Sequence, residues 1–153
     1  MWGAEIDVDY QGILANLFQE EDSARHMARQ LMETANESRE AAARERSSLL
    51  EFLHGAMERH MEYEERSLFP KLVTRGLAAE VSVAEKQHAA IREGRTKLEA
   101  IPDAELKARG AEIAQLIFDI ARLMLHHTNF EGDYIYPELD QEDWRELMEE
   151  TVH

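Results

Sequence analysis

The chain has 153 residues, 44% of them hydrophobic and 32% charged, an ordinary balance for one domain with a single core. Acidic residues outnumber basic ones by 32 to 17, and the formal net charge of -15 argues against nucleic acid and membranes as partners. The absence of cysteine excludes disulfides, iron–sulfur clusters and thiol chemistry. We expect a cytoplasmic protein, because the N-terminal segment lacks the features of a signal peptide and no apolar run approaches the roughly 20 residues of a membrane span.

Apolar residues recur every three to four positions along almost the whole chain, which is the spacing of amphipathic helices. Gly76 is expected to cap the second helix and Asp103 to begin the fourth. Four long helices with short connections predict an all-α, up-down-up-down four-helix bundle, to which a short fifth helix adds at one end. The predicted helices cover residues 9–35, 39–74, 78–99, 103–136 and 140–150.

Two segments repeat the same pattern of residues. The stretch RHMEYEERSLFP, residues 59–70, is matched by HHTNFEGDYIYP, residues 126–137. Counting back from the final proline, both have a histidine at the same position and a glutamate four residues later. Residues four apart lie one above the other on a helix, so each pair can grip one ion or share a carboxylate between two. The two pairs are His60 with Glu64 and His127 with Glu131.

The other two long helices each place one metal-capable residue on the apolar face. Glu21 is the only charge in the apolar stripe of the first helix, and His88 lies on the core face of the third. A buried carboxylate without a partner costs several kcal/mol or more, so three inward carboxylates and three histidines require a cation. The predicted metal ligands are Glu21, His60, Glu64, His88, His127 and Glu131.

Neighbouring polar and aromatic residues have other expected places. His26 lies on a polar face of the first helix and is expected at the surface, with ligation by a shifted helix as the alternative. His54 and His126 are out of phase with the ligands, so we expect them at the surface or in contact with the ligands from outside. Glu65 faces about 100° away from Glu64, towards solvent. Three aromatic residues beside the site are expected to pack in the core, although a tyrosine there could instead donate a hydrogen bond to a bound oxygen species. They are Tyr63, Phe130 and Tyr134.

Three segments of the chain resemble the hemerythrin-like family of HHE cation-binding domains: FLHGAMERHMEYEERSLFPKL, EKQHAAI and LMLHHTNFEGDYIYPEL. That family is a four-helix bundle with a non-heme diiron centre held by inward His, Glu and Asp side chains. The resemblance implies two iron ions with an oxo or hydroxo bridge, although zinc or manganese also suits such ligands. It implies ligation by His60, Glu64, His88, His127 and Glu131, with both glutamates as candidate bridges.

The chain departs from that family in two places. Glu21 stands where the family offers a histidine on the first helix, or Glu20 does if the helix is rotated. Ala84 and Arg92 lie four residues before and after His88, where many oxygen carriers have a second histidine. Harder, anionic carboxylate ligands stabilise ferric over ferrous iron, so these departures favour oxidation or peroxide chemistry over reversible oxygen binding.

Three functional hypotheses follow from the resemblance. The first is a diiron protein that binds or reacts with a small diatomic or peroxide ligand (O2, NO or peroxide), or senses iron. The second is a diiron peroxidase, catalase or oxidase, favoured by the carboxylate-rich site. The third is iron delivery or nitrosative-stress repair through a partner protein.

Overall fold

The structure, a computed structural model, describes the backbone of residues 2–152 and the side chains of residues 17–147. These residues form helices and short connections without a β-strand, which confirms the predicted all-α bundle. The first helix, α1, begins at Trp2 rather than near residue 9 and ends at Glu37. The apolar stripe predicted for this helix starts at positions 10 and 14, and the side chains at these two positions lie outside the described residues.

The second arm of the bundle, residues 39–74, is a succession of short helical segments. Ser38 starts it, because its backbone is extended and its side chain accepts a hydrogen bond from the Ala41 N–H at 3.1 Å. Gly76 ends it with a φ of 86°, which confirms the predicted glycine cap. The segments are α2 (Arg39–Arg44), α3 (Arg46–His54), α4 (Ala56–Tyr63), a π-helical turn (Glu64–Leu68) and α5 (Phe69–Thr74).

The third arm is α6 (Ala78–Glu99), as predicted, but the expected start of the fourth arm at Asp103 is wrong. Residues Asp103–Glu105 form only a 3-10 turn, and α7 begins at Gly110. Arg46 accounts for this connection, because its guanidinium donates to the carbonyl oxygens of Leu98, Glu99 and Ile101 and holds the chain against the second arm. The fourth arm is α7 (Gly110–Phe130), a π-helical turn (Glu131–Ile135) and a 3-10 turn (Tyr136–Glu138).

The last helix, α8 (Gln141–Val152), closes one end of the bundle. The Asp140 carboxylate accepts from the Asp143 N–H at 2.9 Å, and the Asp143 carboxylate accepts from the Asp140 N–H at 3.0 Å. This reciprocal pairing fixes the start of the helix, as in a capping box. Trp144 and Leu147 are buried in the adjacent core.

A proline lies two residues after the end of each π-helical turn: Pro70 follows Leu68, and Pro137 follows Ile135. Proline has no N–H and its ring clashes with the carbonyl four residues earlier, so the regular α-helical ladder cannot continue past it. The chain widens instead: the Phe69 N–H bonds to the Glu64 carbonyl, and the Tyr136 N–H bonds to the Glu131 carbonyl, five residues back. The duplicated sequence pattern therefore produces a duplicated backbone distortion that starts at each glutamate.

The apolar core consists of two clusters with a polar layer between them. On α1 the buried sequence runs from Leu17 through Glu21 to Ala24, where Leu17 belongs to one cluster and Ala24 to the other. On α6 it runs in the same way from Ala84 through His88 to Ile91. The polar layer is thus covered by hydrocarbon above and below. None of the described helices combines the length and apolar composition needed to cross a membrane.

Close packing of α6 against α7 predicts the effect of a glycine substitution. A Cβ atom on Gly94 would lie 2.7 Å from Cγ1 of Ile120, a stiff and fully packed side chain. Gly94→Ala should lower the free energy of unfolding by about 1–3 kcal/mol through overpacking. Up to about 1 kcal/mol of this loss is offset, because alanine has a higher helix propensity than glycine. Urea unfolding followed by circular dichroism measures the change.

Gly110→Ala is the matched control, because no heavy atom lies within 4 Å of its added Cβ. This variant should be as stable as the wild type or more stable. Equal stability of the two variants would contradict the close approach of α6 and α7.

Candidate metal centre

The structure brings all six predicted ligands together in the polar layer of the bundle. They are buried, and their ligand atoms fall into two groups of four, each with its atoms within 4.8 Å of one another. Glu64 and Glu131 belong to both groups, so the centre has two halves that share two carboxylates. The groups are Glu64, His88, His127 and Glu131, and Glu21, His60, Glu64 and Glu131.

The first group, here called the two-histidine half, brings two imidazoles together edge to face, with ring centroids 4.5 Å apart and ring planes at 70°. His88 Nε2 and His127 Nε2 are 3.0 Å apart. His88 Nε2 is 3.1 Å from Glu64 Oε1, and His127 Nε2 is 2.9 Å from Glu131 Oε1. Four donor atoms therefore converge from the second, third and fourth arms.

The second group, the one-histidine half, contains Glu21, the one predicted ligand that lies on α1. His60 Nε2 lies 3.2 Å from Glu21 Oε1, 3.6 Å from Glu64 Oε2 and 4.0 Å from Glu131 Oε1. Glu64 thus turns Oε1 towards His88 and Oε2 towards His60. This is the orientation that a carboxylate needs to bridge two ions.

Each histidine has an outer partner that fixes its ring. His60 Nδ1 lies 3.1 Å from Glu20, His88 Nδ1 lies 2.7 Å from Glu65, and His127 Nδ1 lies 2.8 Å from Gln87. The three partner atoms are carboxylate or amide oxygens, which only accept hydrogen bonds, so each Nδ1 carries the proton. A neutral ring protonated at Nδ1 would present the lone pair of Nε2 to a metal in the centre, which is the usual arrangement of metal-ligating histidines.

Glu65 contacts the site, contrary to the expectation that it faces solvent. Its carboxylate accepts from His88 and also from the Arg92 guanidinium at 2.6 Å. The expectation assumed a rotation of 100° per residue, and the π-helical turn that begins at Glu64 removes that regularity. Hydrogen bonds from Arg92 and from Arg95 hold the pKa of the nearby Glu58 carboxyl at about 2 despite its partial burial, so this carboxylate anchors both arginines.

Three buried carboxylate oxygens in the centre lack a hydrogen-bond partner: Glu21 Oε2, Glu131 Oε1 and Glu131 Oε2. The short contact of Glu131 with His127 does not satisfy it, because the His127 proton lies on Nδ1 and is donated to Gln87. An unpartnered buried carboxylate is unfavourable, and a metal cation would satisfy all three atoms at once. The donor set therefore fits a metal.

The pKa shifts in the centre also indicate that its negative charge lacks a compensating positive charge. Burial raises the pKa of Glu131 well above its usual range, and the Glu64 carboxylate raises it further. Burial lowers the pKa of His60, but the hydrogen bonds that its ring donates to Glu20, Glu21 and Glu64 outweigh this effect and raise the pKa to about 12. Without a metal, protons on Glu131 and His60 would offset part of the negative charge of the centre. A bound metal dication would displace these protons and offset the charge more fully.

Tyr136 is a site residue that the sequence analysis missed. Its hydroxyl donates to Glu64 Oε2 at 2.9 Å and lies 3.3 Å from His60 Nε2. Burial raises its pKa well above the usual value, so the phenol keeps its proton. The duplicated pattern offered a signal for it, because Tyr136 stands at the position of Phe69 in the other segment. In the structure the Phe69 ring stacks on His88, with ring centroids 5.3 Å apart.

Comparison with known proteins is consistent with this geometry. The family model described as the hemerythrin HHE cation-binding domain matches residues 12–103, more than half of the chain. The chain belongs to this family. Neither the comparison with curated proteins nor that with solved structures gave a match. The matched range contains four of the six hemerythrin-like site residues and ends before His127 and Glu131.

The remaining sequence expectations for this hemerythrin-like chain have mixed outcomes. Phe130 and Tyr63 pack against the apolar cluster nearer α8, as expected, whereas Tyr134 is 57% exposed and the expectation that it packs in the core is wrong. Glu20 contacts the outer nitrogen of His60, so α1 directs Glu21 rather than Glu20 at the centre. Three histidines outside the centre are exposed, as expected: His26, His54 and His126. Metal ligation by the six buried residues stays a prediction.

Substitution of Glu21 tests the contribution of the first helix. Glu21→Ala removes one donor from the one-histidine half, so we expect a marked loss of bound metal, measured by elemental analysis of protein reconstituted with Fe(II). His26→Ala is the control on the same helix, and it should retain full occupancy because its side chain is exposed. Loss of metal in His26→Ala but not in Glu21→Ala would contradict the placement of α1.

Substitution of Glu65 tests the outer partner of His88. Loss of such a partner lowers metal affinity by about 10- to 100-fold in other sites, so Glu65→Ala should weaken metal binding by a similar factor. Glu65→Gln should recover part of the affinity, because the amide oxygen still accepts from Nδ1. Glu62→Ala, an exposed change on the same arm, should bind metal like the wild type, and competition with a chelator measures all three.

Proposed function

We propose that the protein holds a dinuclear non-heme iron centre that reacts with O2 or peroxide. The supporting observation is the pair of four-residue groups that share Glu64 and Glu131. A mononuclear site would need only one such group. The two oxygens of Glu64 face opposite halves, which supports a bridging role.

The donor types favour iron and an oxidised state. Imidazole nitrogens and carboxylate oxygens together suit iron, and also manganese and zinc, whereas a copper site of the soft type would need sulfur ligands. Three carboxylates balance three histidines, and the one-histidine half contains only carboxylates besides His60. Anionic hard ligands stabilise the ferric state, so this half favours electron loss over reversible oxygen release.

The chain's own residues would bind the metal ions, orient a ligand and supply it with a proton. Two bound ferrous ions would supply two electrons for the reduction of O2 or peroxide. Tyr136 keeps a proton at a hydroxyl that is in contact with both His60 and Glu64, so it can hydrogen-bond to a ligand at the one-histidine half or pass a proton to it. The apolar clusters on both sides keep these side chains largely buried, which strengthens their electrostatic interactions.

The Tyr136 hydroxyl also favours a second candidate, in which the centre binds O2 or NO without reducing it. A fixed donor beside a buried metal stabilises a bound polar ligand as well as a transition state. The two candidates differ in whether the ligand leaves unchanged.

Reconstitution separates the candidates. Protein loaded with Fe(II) under argon should contain two irons per chain, and addition of air or hydrogen peroxide should produce an oxidised optical spectrum that argon does not reverse. A spectrum that reverses under argon supports the second candidate. Binding of at most one iron per chain contradicts the dinuclear centre.

Tyr136→Phe tests the proton donor with a single-atom change. We expect it to retain its metal and to react with hydrogen peroxide about 100-fold more slowly, the lower range of general acid catalysis. Tyr134→Phe makes the same chemical change on an exposed ring nearby and should react like the wild type. Equal rates for both variants would exclude the role of Tyr136.

A further inference from the structure

A cavity of about 310 Å³ adjoins the one-histidine half of the centre. Glu21 and His60 form part of its wall, so it reaches two of the predicted ligands. Gln19 and Ser23 of α1 also line it, and both residues are exposed, so the cavity opens to solvent beside α1. A molecule can therefore reach this half of the centre from solvent.

The cavity is far larger than a diatomic gas or hydrogen peroxide needs. One water occupies about 30 Å³ in the liquid, so the volume is about ten times that of a molecule of this size. Cavities of roughly 300–1,000 Å³ are typical of sites for organic ligands. The volume thus points to a substrate with an organic part.

The wall of the cavity selects for an apolar and uncharged organic part. Phe52, Ala56 and Met57 of the second arm and Ala24 of α1 supply hydrocarbon. An anion is disfavoured, because the carboxylate of Glu20 lines the same cavity and the whole chain carries a net charge of -15.

Glu21 and His60 form the polar end of the cavity. Both are predicted metal ligands, so a group at this end would lie next to the proposed metal centre. Tyr136, which contacts His60, brings a hydroxyl donor to the same half. A ligand with an apolar body and a short oxygen-containing end matches this combination.

We propose that this cavity binds a small neutral organic hydroperoxide, R–O–O–H, with its peroxide group towards Glu21 and His60. The proposal rests on the proposed function and names its substrate class. If two ferrous ions are bound, they would supply the two electrons that break the O–O bond, and with two protons the products would be the alcohol R–OH, water and two ferric ions. The apolar wall retains the R group, which hydrogen peroxide lacks.

Binding can be tested without turnover by using the unreactive alcohol 2-phenyl-2-propanol in place of cumene hydroperoxide. In protein with labelled alanine and methionine methyl groups, titration should shift the NMR signals of Ala24, Ala56 and Met57 and leave that of Ala41 unchanged. The experiment is performed on metal-free and on Zn²⁺-loaded protein. The anion 2-phenylpropanoate, of similar size, should produce no such shifts.

Ala56→Leu fills the cavity and should weaken binding of 2-phenyl-2-propanol by about tenfold or more. Ala41→Leu is the control, because Ala41 is also partly buried near the start of a helix but lies away from the cavity. Should Ala56→Leu fail to fold, the methyl shifts of the wild type decide alone. Absence of these shifts, equal binding by Ala56→Leu and Ala41→Leu, or equal binding of the anion would overturn the proposal.

Turnover separates this proposal from the proposed function. In a single turnover under argon, diferrous protein should reduce one cumene hydroperoxide per two irons, with a second-order rate constant at least about tenfold above that for hydrogen peroxide. Reduction of hydrogen peroxide alone would leave the proposed function standing and overturn the organic substrate. Failure to bind two irons would overturn the proposed function, while the methyl shifts in metal-free protein would still report on the cavity.

Discussion

The structure depends on burying three carboxylates and three imidazoles between two apolar clusters. Such groups are stable in a core only when hydrogen bonds and opposite charges compensate the loss of water. Here each imidazole is compensated on its outer side by an acceptor, and the carboxylates converge on one another with unpartnered oxygens. The outer nitrogens of the histidines therefore have hydrogen-bond partners, whereas the carboxylates that face the centre need a cation to compensate their charge.

The helices deform to meet that constraint. An uninterrupted α-helix would carry Glu64 and Glu131 in regular phase, but Pro70 and Pro137 force a π-helical turn directly at each glutamate. The wider turn brings Glu65 to His88, where Arg92 supports it. A distortion encoded by proline thus occurs at both of the carboxylates that we propose to bridge two ions and at an outer partner of His88.

Two similar halves of the centre have become chemically different. The aromatic residue before each proline is Phe69 on one side, where it stacks on His88, and Tyr136 on the other, where its hydroxyl contacts His60. The one-histidine half also adjoins the cavity and contains the carboxylate of Glu21. Polarity, access and negative charge all concentrate on this half, which makes it the side where we propose that chemistry occurs.

The sequence by itself determined the helical fold, the duplicated His–Glu pattern and all six residues that converge in the centre. Helical phase and the cost of burying charge suffice for these, because both act along single helices. The sequence did not predict the late start of α7, the contact of Glu65 with His88, or Tyr136. Each depends on a departure from regular α-helix or on the distance between arms. Only the tertiary structure decided these, because packing between helices sets which side chains meet once the backbone leaves its ideal period.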